Sequence, residues 1–111
     1  MRNLFFVLCL IAGVQAQGCV HGAFKATQEH VKEALRKAEL RFNTLKDDIE
    51  EEDSEADLAL TGMDAWIAPD QTNVWVTVKY KYNQQTKEFH LSCHPHGSEL
   101  GCHKQKNAGP R

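Results

Sequence analysis

One amphipathic stripe in the first half of the chain constrains its fold more than any other feature. Apolar side chains recur there at spacings of three and four residues, the period of one helical face: Val31, Ala34, Leu35, Ala38, Phe42, Leu45 and Ile49. Thr27 is a suitable N-cap residue, and neither Gly nor Pro interrupts the residues that follow it. We therefore expect a helix from Gln28 to about Lys46, with its apolar stripe packed on a sheet.

An acidic run follows this stripe. Residues 47–57 carry eight acidic side chains and no basic one. The run lacks the alternating ligands and the central Gly of a calcium-binding loop. We expect it to be a solvated loop or a fraying helix end.

The second half of the chain has strand patterns. Residues 59–68 contain a short strand that ends before Pro69, and residues 73–83 alternate between two faces. A turn at 84–86 lets residues 87–93 return as the antiparallel partner. The sequence therefore predicts an α+β fold, with one long N-terminal helix packed on an antiparallel β-meander of three to five strands.

Both ends of the chain are expected to lie outside the folded domain. Residues 1–16 hold a positive residue, an apolar core and a small final residue, as in a secretory signal peptide. Cleavage after Ala16 leaves 95 of the 111 residues and predicts a secreted, extracellular protein with no membrane association. We expect one α+β domain over residues 17–106, with a loop-like C-terminal part and a flexible tail at 107–111.

Three cysteines remain after the signal peptide: Cys19, Cys93 and Cys102. In an oxidising compartment two of them are expected to pair. A Cys19–Cys102 bridge closes most of the domain, and loop-closure entropy favours it by roughly 4 kcal/mol. A Cys93–Cys102 bridge, the alternative, closes only a small loop. We expect the long bridge and a monomer, with a dimer through Cys93 as the alternative.

Residues 90–103, HLSCHPHGSELGCH, crowd four histidines and two cysteines together. They do not form two well-separated ligand pairs, and oxidation removes the thiolates that zinc prefers; we expect no metal and no cofactor. A cysteine nucleophile lacks a supporting signature around it. Histidine acid–base chemistry remains, with Lys79 and Lys81 on the neighbouring strand as phosphate ligands.

Several segments together suggest a family. The helix has the form F-x₆-V-x₂-A-L-x₂-A from Phe24, cysteines lie near both ends, and the segments 79–83 and 93–98 follow in order. This arrangement resembles the ribonuclease-like effectors secreted by plant-pathogenic fungi, which share the fold of guanyl-specific fungal ribonucleases. The resemblance implies a general acid at His94, a phosphate ligand at Lys79, and a bridge between the first and last cysteines.

The departures from that family predict lost catalysis. Lys79 is a point charge where those enzymes use the bidentate fork of an arginine, and their general-base glutamate is missing. We therefore expect an effector-type protein with vestigial catalytic residues that binds a host protein or RNA, outside or inside a host cell. Binding would use Lys79, Lys81, an exposed Trp75 and His96. A weakly active secreted endoribonuclease is the alternative.

A second resemblance is to cystatins. The segment HVKEALRKAELRFN at 30–43 is similar to the helix that cystatins lay across an antiparallel sheet. This resemblance implies protease inhibition, with Cys93–Cys102 as a local hairpin bridge. The Gln-x-Val-x-Gly hairpin that cystatins insert into a protease has no counterpart here.

Overall fold

The computed structural model of the protein describes residues 25–96 and 99–111. One helix, α1 (Gln28–Glu52), precedes four strands: β1 (Leu58–Ile67), β2 (Val74–Tyr82), β3 (Gln85–His96) and β4 (Glu99–Gln105). The predicted α+β architecture, with one long helix on an antiparallel meander, is confirmed. The expected signal peptide at 1–16 and Cys19 lie outside the described residues. In the ranges that are described, no helix is apolar enough over a sufficient length to cross a membrane.

Helix α1 begins where the sequence predicts. Thr27 is the N-cap residue, and its backbone N–H donates to His30 Nδ1 at 3.0 Å, which satisfies one donor at the helix start. The side chains that the helix buries completely belong to the predicted stripe: Ala34, Ala38 and Phe42.

The helix ends later than predicted, because the first part of the acidic run is helical. It continues six residues beyond Lys46, to Glu52. Ile49 packs against the core, and Lys46 Nζ lies 2.6 Å from Glu50 Oε2 one turn further on. A core contact and an i,i+4 ion pair thus support this extra turn and a half.

The four strands form one sheet in the order β1-β2-β3-β4, and every neighbouring pair is antiparallel. Alternate residues point to an inner face, which packs on α1, and to an outer face. The inner face supplies most of the core, together with the helix residues given above: Val74, Val76, Val78, Tyr80, Phe89, Leu91, Cys93 and Leu100.

The β2–β3 hairpin turns on Asn83 and Gln84, slightly earlier than the expected turn at 84–86. Both residues have positive φ angles, 50° and 74°, the conformation of tight two-residue hairpins. Asn83 also exchanges hydrogen bonds with Asp57, whose N–H donates to Asn83 Oδ1 at 2.8 Å. The turn is thereby tied to the segment that joins α1 to β1.

Strand β4 corrects the expectation of a loop-like C-terminal part. Residues Glu99–Gln105 pair with β3, so the chain continues as a hairpin beyond Pro95. Proline is tolerated in β3 because the pairing with β2 ends at Cys93, which leaves Pro95 without a β2 neighbour.

The disulfide also differs from the expectation. Cys102 is bonded to Cys93, so the predicted Cys19–Cys102 bridge is wrong. The two cysteines lie directly opposite each other on β3 and β4, with their Cα atoms 4.0 Å apart. Loop-closure entropy favoured the longer bridge, but strand register places this pair together once β4 forms.

The C-terminal residues, which we expected to form a flexible tail, lie across the outer face. The Trp66 indole donates to the Pro110 carbonyl at 2.9 Å. The Arg111 guanidinium lies 3.9 Å from the centre of the Trp66 ring and pairs with Asp64. These contacts hold Pro110 and Arg111 over β1.

Candidate metal centre

Three histidines lie close together on the outer face of the β3–β4 hairpin, near the end where β3 leads into β4. His94 and His96 are two residues apart on β3 and therefore point to the same side. His103 on β4 joins them, because its register partner Ser92 lies on that face too. The hairpin register alone thus brings together ligands from two strands.

The cysteines and histidines of this hairpin point in opposite directions. Cys93 lies wholly buried in the core on the inner face, and its register partner is Cys102. His94 and His103 each follow one of these cysteines, so strand alternation turns both imidazoles outward. The disulfide therefore lies on one side of the hairpin and the histidine cluster on the other.

The imidazole nitrogens of the cluster converge. One nitrogen from each histidine lies within 4.8 Å of the other two. His96 Nε2 and His103 Nε2 are 3.2 Å apart, close to the ~3.4 Å that separates two ligands bonded tetrahedrally to zinc at about 2.0–2.1 Å. A nitrogen of His94 is the third potential ligand in this group.

Gly101 makes room for this arrangement. A Cβ added there would lie 2.3 Å from His96 Cδ2, so the His96 ring rests directly over the β4 backbone. Gly101 is also the register partner of His94. A glycine at this position lets the His96 ring approach His103.

The environment of His94 favours the neutral imidazole, the form that binds metals. Burial and then the neighbouring His96 and His103 lower the pKa of His94 below its ordinary value. His94 is half-buried, whereas His96 and His103 are exposed, so an ion can enter from solvent. The cluster combines one sheltered ligand with two accessible ligands.

The fourth histidine of the segment is separate from the cluster. His90 is buried on the outer face between Thr77 and Glu88. Its Nδ1 lies 3.0 Å from Thr77 Oγ1, and its Nε2 lies 3.1 Å from Glu88 Oε2. Both ring nitrogens have protein partners, so His90 is a satisfied structural residue.

The structure does not bring together the predicted catalytic pair. Lys79 on β2 is the register partner of Glu88, six residues before His94 on β3. At about 3.4 Å per residue, Lys79 and His94 are separated by about 20 Å along the sheet. Lys81 pairs with Thr86 and lies farther still. One phosphate group cannot contact both His94 and either lysine.

Trp75 is less exposed than the sequence suggested. It is half-buried on the outer face, beneath the C-terminal tail. A Cβ added at Gly109 would lie 1.9 Å from Trp75 Cδ2, which shows how closely the tail backbone covers the ring. The Trp75 indole nitrogen is buried, and no hydrogen-bond partner for it occurs in the described parts of the chain.

Sequence reasoning placed His94 and His96 in a site but missed His103. The missing step was strand β4, since a loop beyond Pro95 gives no fixed position to His103. The signal was present in the sequence, because Cys93-His94 and Cys102-His103 repeat the same dipeptide. Pairing the two cysteines across a hairpin would have placed both histidines on one face.

Comparison of the chain with protein-family models, with curated protein sequences and with solved structures finds no match.

Proposed function

We propose that the protein binds a divalent transition metal ion through His94, His96 and His103. The observation that carries this proposal is the convergence of three imidazole nitrogens within 4.8 Å of one another. Imidazole is a ligand for zinc, copper and nickel, whereas calcium and magnesium prefer oxygen. The site therefore supports binding of a late first-row metal.

The site offers three protein ligands and leaves a fourth position free. Three-histidine sites in proteins complete their coordination with water or an exogenous ligand. Two of these three ligands are exposed, which supports an open centre at the surface. The proposed activity is therefore metal binding, and we assign no chemical reaction to the site.

Titration of the untagged protein with Co²⁺ and Zn²⁺ tests this proposal. We expect one Co²⁺ per chain, with visible absorption bands of a nitrogen-coordinated ion that Zn²⁺ displaces. His103→Asn should weaken binding by at least about 10-fold, because it removes one of three ligands. Absence of stoichiometric binding, or equal binding by His103→Asn, overturns the proposal.

His30→Gln is the matched control for this titration. It also removes one histidine, but at the N-terminus of α1, outside the cluster. Glutamine is suited to the third helical position in a capping box, so the helix start should persist. We expect this variant to bind Co²⁺ with the affinity of the unaltered chain.

Protease binding is a second candidate function. The chain order supports it, since a helix precedes an antiparallel meander with a Cys93–Cys102 bridge across its last hairpin. That arrangement is what the resemblance to cystatins implied, whereas the ribonuclease-like resemblance implied a different bridge. Inhibition of a papain-class cysteine protease at micromolar protein supports this candidate, and unchanged protease activity rules against it.

A further inference from the structure

We infer that the Cys93–Cys102 disulfide controls metal binding by the histidine cluster, so that reduction of the bridge releases the ion. This inference rests on the proposed metal-binding function and adds its regulation. It makes the site selective for an oxidising environment. Four structural features support it: the register of β3 and β4, the few contacts that hold β4, the accessibility of the disulfide, and the direction in which the cysteine side chains point.

The disulfide fixes the register on which the cluster depends. Cys93 and Cys102 are direct cross-strand partners, and a ligand follows each of them in the chain. A slip of one residue between paired strands moves every side chain of one strand to the other face. Such a slip would separate His103 from His94 and His96, and the covalent bond prevents it.

Few other side-chain contacts tether β4. It is an edge strand, bonded only to β3. Leu100 is its only buried residue, Gly101 and Cys102 are half-buried, and the other four residues are exposed. Outside the β3 ladder, the Arg41 guanidinium donates to the Cys102 carbonyl at 3.1 Å. The disulfide therefore adds a covalent constraint to a strand that is otherwise held by the β3 ladder, by Leu100 and by this hydrogen bond.

The bridge is accessible from one side. Cys93 is completely buried, whereas Cys102 is partly exposed, so a small thiol would approach the bridge from the Cys102 side. Exchange consumes two thiol molecules, RSH, and yields two protein thiols and one RSSR disulfide. The two electrons and two protons that convert the bridge to thiols come from the small thiol.

The released thiols point away from the cluster. Both cysteines face α1, and the three histidines face outward. A thiolate cannot join the histidine ligands unless its strand rotates. Reduction should therefore weaken the three-histidine site rather than convert it into a mixed cysteine–histidine site.

The test compares Co²⁺ affinity in three forms of the full chain: the oxidised protein, the protein reduced by a phosphine, and the Cys93→Ala/Cys102→Ala double variant. We expect the last two to bind about 10- to 100-fold more weakly, the range that is typical when the support of a metal ligand is lost. Far-UV circular dichroism shows whether each form is folded.

The outcomes separate the two proposals. If the oxidised protein does not bind Co²⁺, the metal-binding function fails, and this inference fails with it. If all three forms bind Co²⁺ with affinities within twofold of one another, the metal site stands and control by the disulfide is overturned.

A reciprocal measurement needs only the native sequence and covers the case in which a reduced form unfolds. Because coupling is mutual, metal must stabilise the disulfide by the factor by which the disulfide strengthens metal binding. In a glutathione redox buffer, saturating Zn²⁺ should shift the disulfide equilibrium about 10- to 100-fold towards the oxidised form. His103→Asn corrects for direct binding of Zn²⁺ to glutathione. An equal Zn²⁺ effect in both proteins overturns the inference.

Discussion

His96 Nε2 lies 3.2 Å from His103 Nε2, so in the metal-free protein one of these nitrogens donates a proton that the other accepts. His94 packs against both rings, with centroids 4.5 Å and 5.0 Å away. Burial and then these two neighbours lower the pKa of His94, which has consequences for stability as well as for metal binding.

The first prediction concerns acid stability. The folded-state pKa of His94 is below its unfolded value of about 6.5, so the unfolded chain binds more protons between the two values. The free energy of unfolding should therefore fall as pH falls through this window, in chelator-treated protein. His94→Gln should lose less stability than the unaltered chain between pH 7.5 and 5.5 in urea titrations. Equal losses of unfolding free energy in the two proteins would contradict a lowered pKa of His94.

The second prediction concerns the glycine beneath His96. Gly101→Ala places a methyl group where the His96 ring now lies, which should move that ligand out of the cluster. We expect Co²⁺ affinity to fall by about 10- to 100-fold while the circular dichroism spectrum is retained. Gly62→Ala is the control, since a Cβ at Gly62 meets no atom within 4 Å. Unchanged affinity in Gly101→Ala would show that His96 is not a ligand.

Much of the fold could be predicted because local patterns determine it. The stripe from Val31 to Ile49 specifies a helix with one buried face, and the alternation in β2 specifies a strand. The helix end was misplaced because charge density suggests solvent exposure, whereas Lys46 and Ile49 support another turn locally. A helix can carry a charged outer face as long as its buried apolar stripe continues, as it does here to Ile49.

The candidate site could be predicted only in part because it depends on pairing between strands. Strand β4 has one buried residue, Leu100, so its sequence shows little alternation of apolar and polar residues. Pairing with β3 and the disulfide determine the conformation and register of β4, which its own sequence pattern does not specify. Without that register, the sequence does not show that the side chains of His103 and His94 lie close together in space.

The third prediction compares two apolar residues on α1. Phe42 is 3% exposed and packs on Tyr80, with ring centroids 5.6 Å apart, whereas Leu40 is 53% exposed. Phe42→Ala should lower the free energy of unfolding by about 3–5 kcal/mol through lost burial and a residual cavity. Leu40→Ala should change it by no more than about 0.5 kcal/mol. Urea unfolding curves measure both, and similar effects would contradict the packing of α1.

The fourth prediction concerns the tail on the outer face. Gly109→Ala introduces a methyl group into the space of the Trp75 ring, so the tail must lift from the sheet. Trp66 should lose its hydrogen bond to Pro110 at the same time. We expect a red shift in tryptophan emission and stronger quenching by acrylamide. The same Gly62→Ala control should leave emission unchanged, and an unshifted Gly109→Ala spectrum would show that the tail does not cover Trp75.

The last prediction concerns the β2–β3 turn. Gln84 has a φ of 74°, a conformation that costs a residue with a side chain about 1–2 kcal/mol relative to one without. Gln84→Gly removes this cost and creates the Asn-Gly pair that two-residue turns favour, but it also loses backbone entropy on folding. We expect a net gain of about 0.5–1 kcal/mol in the free energy of unfolding. Gln85→Gly, one residue later and inside β3, should destabilise the protein instead, because glycine weakens a strand. A loss of stability in Gln84→Gly would contradict the turn geometry.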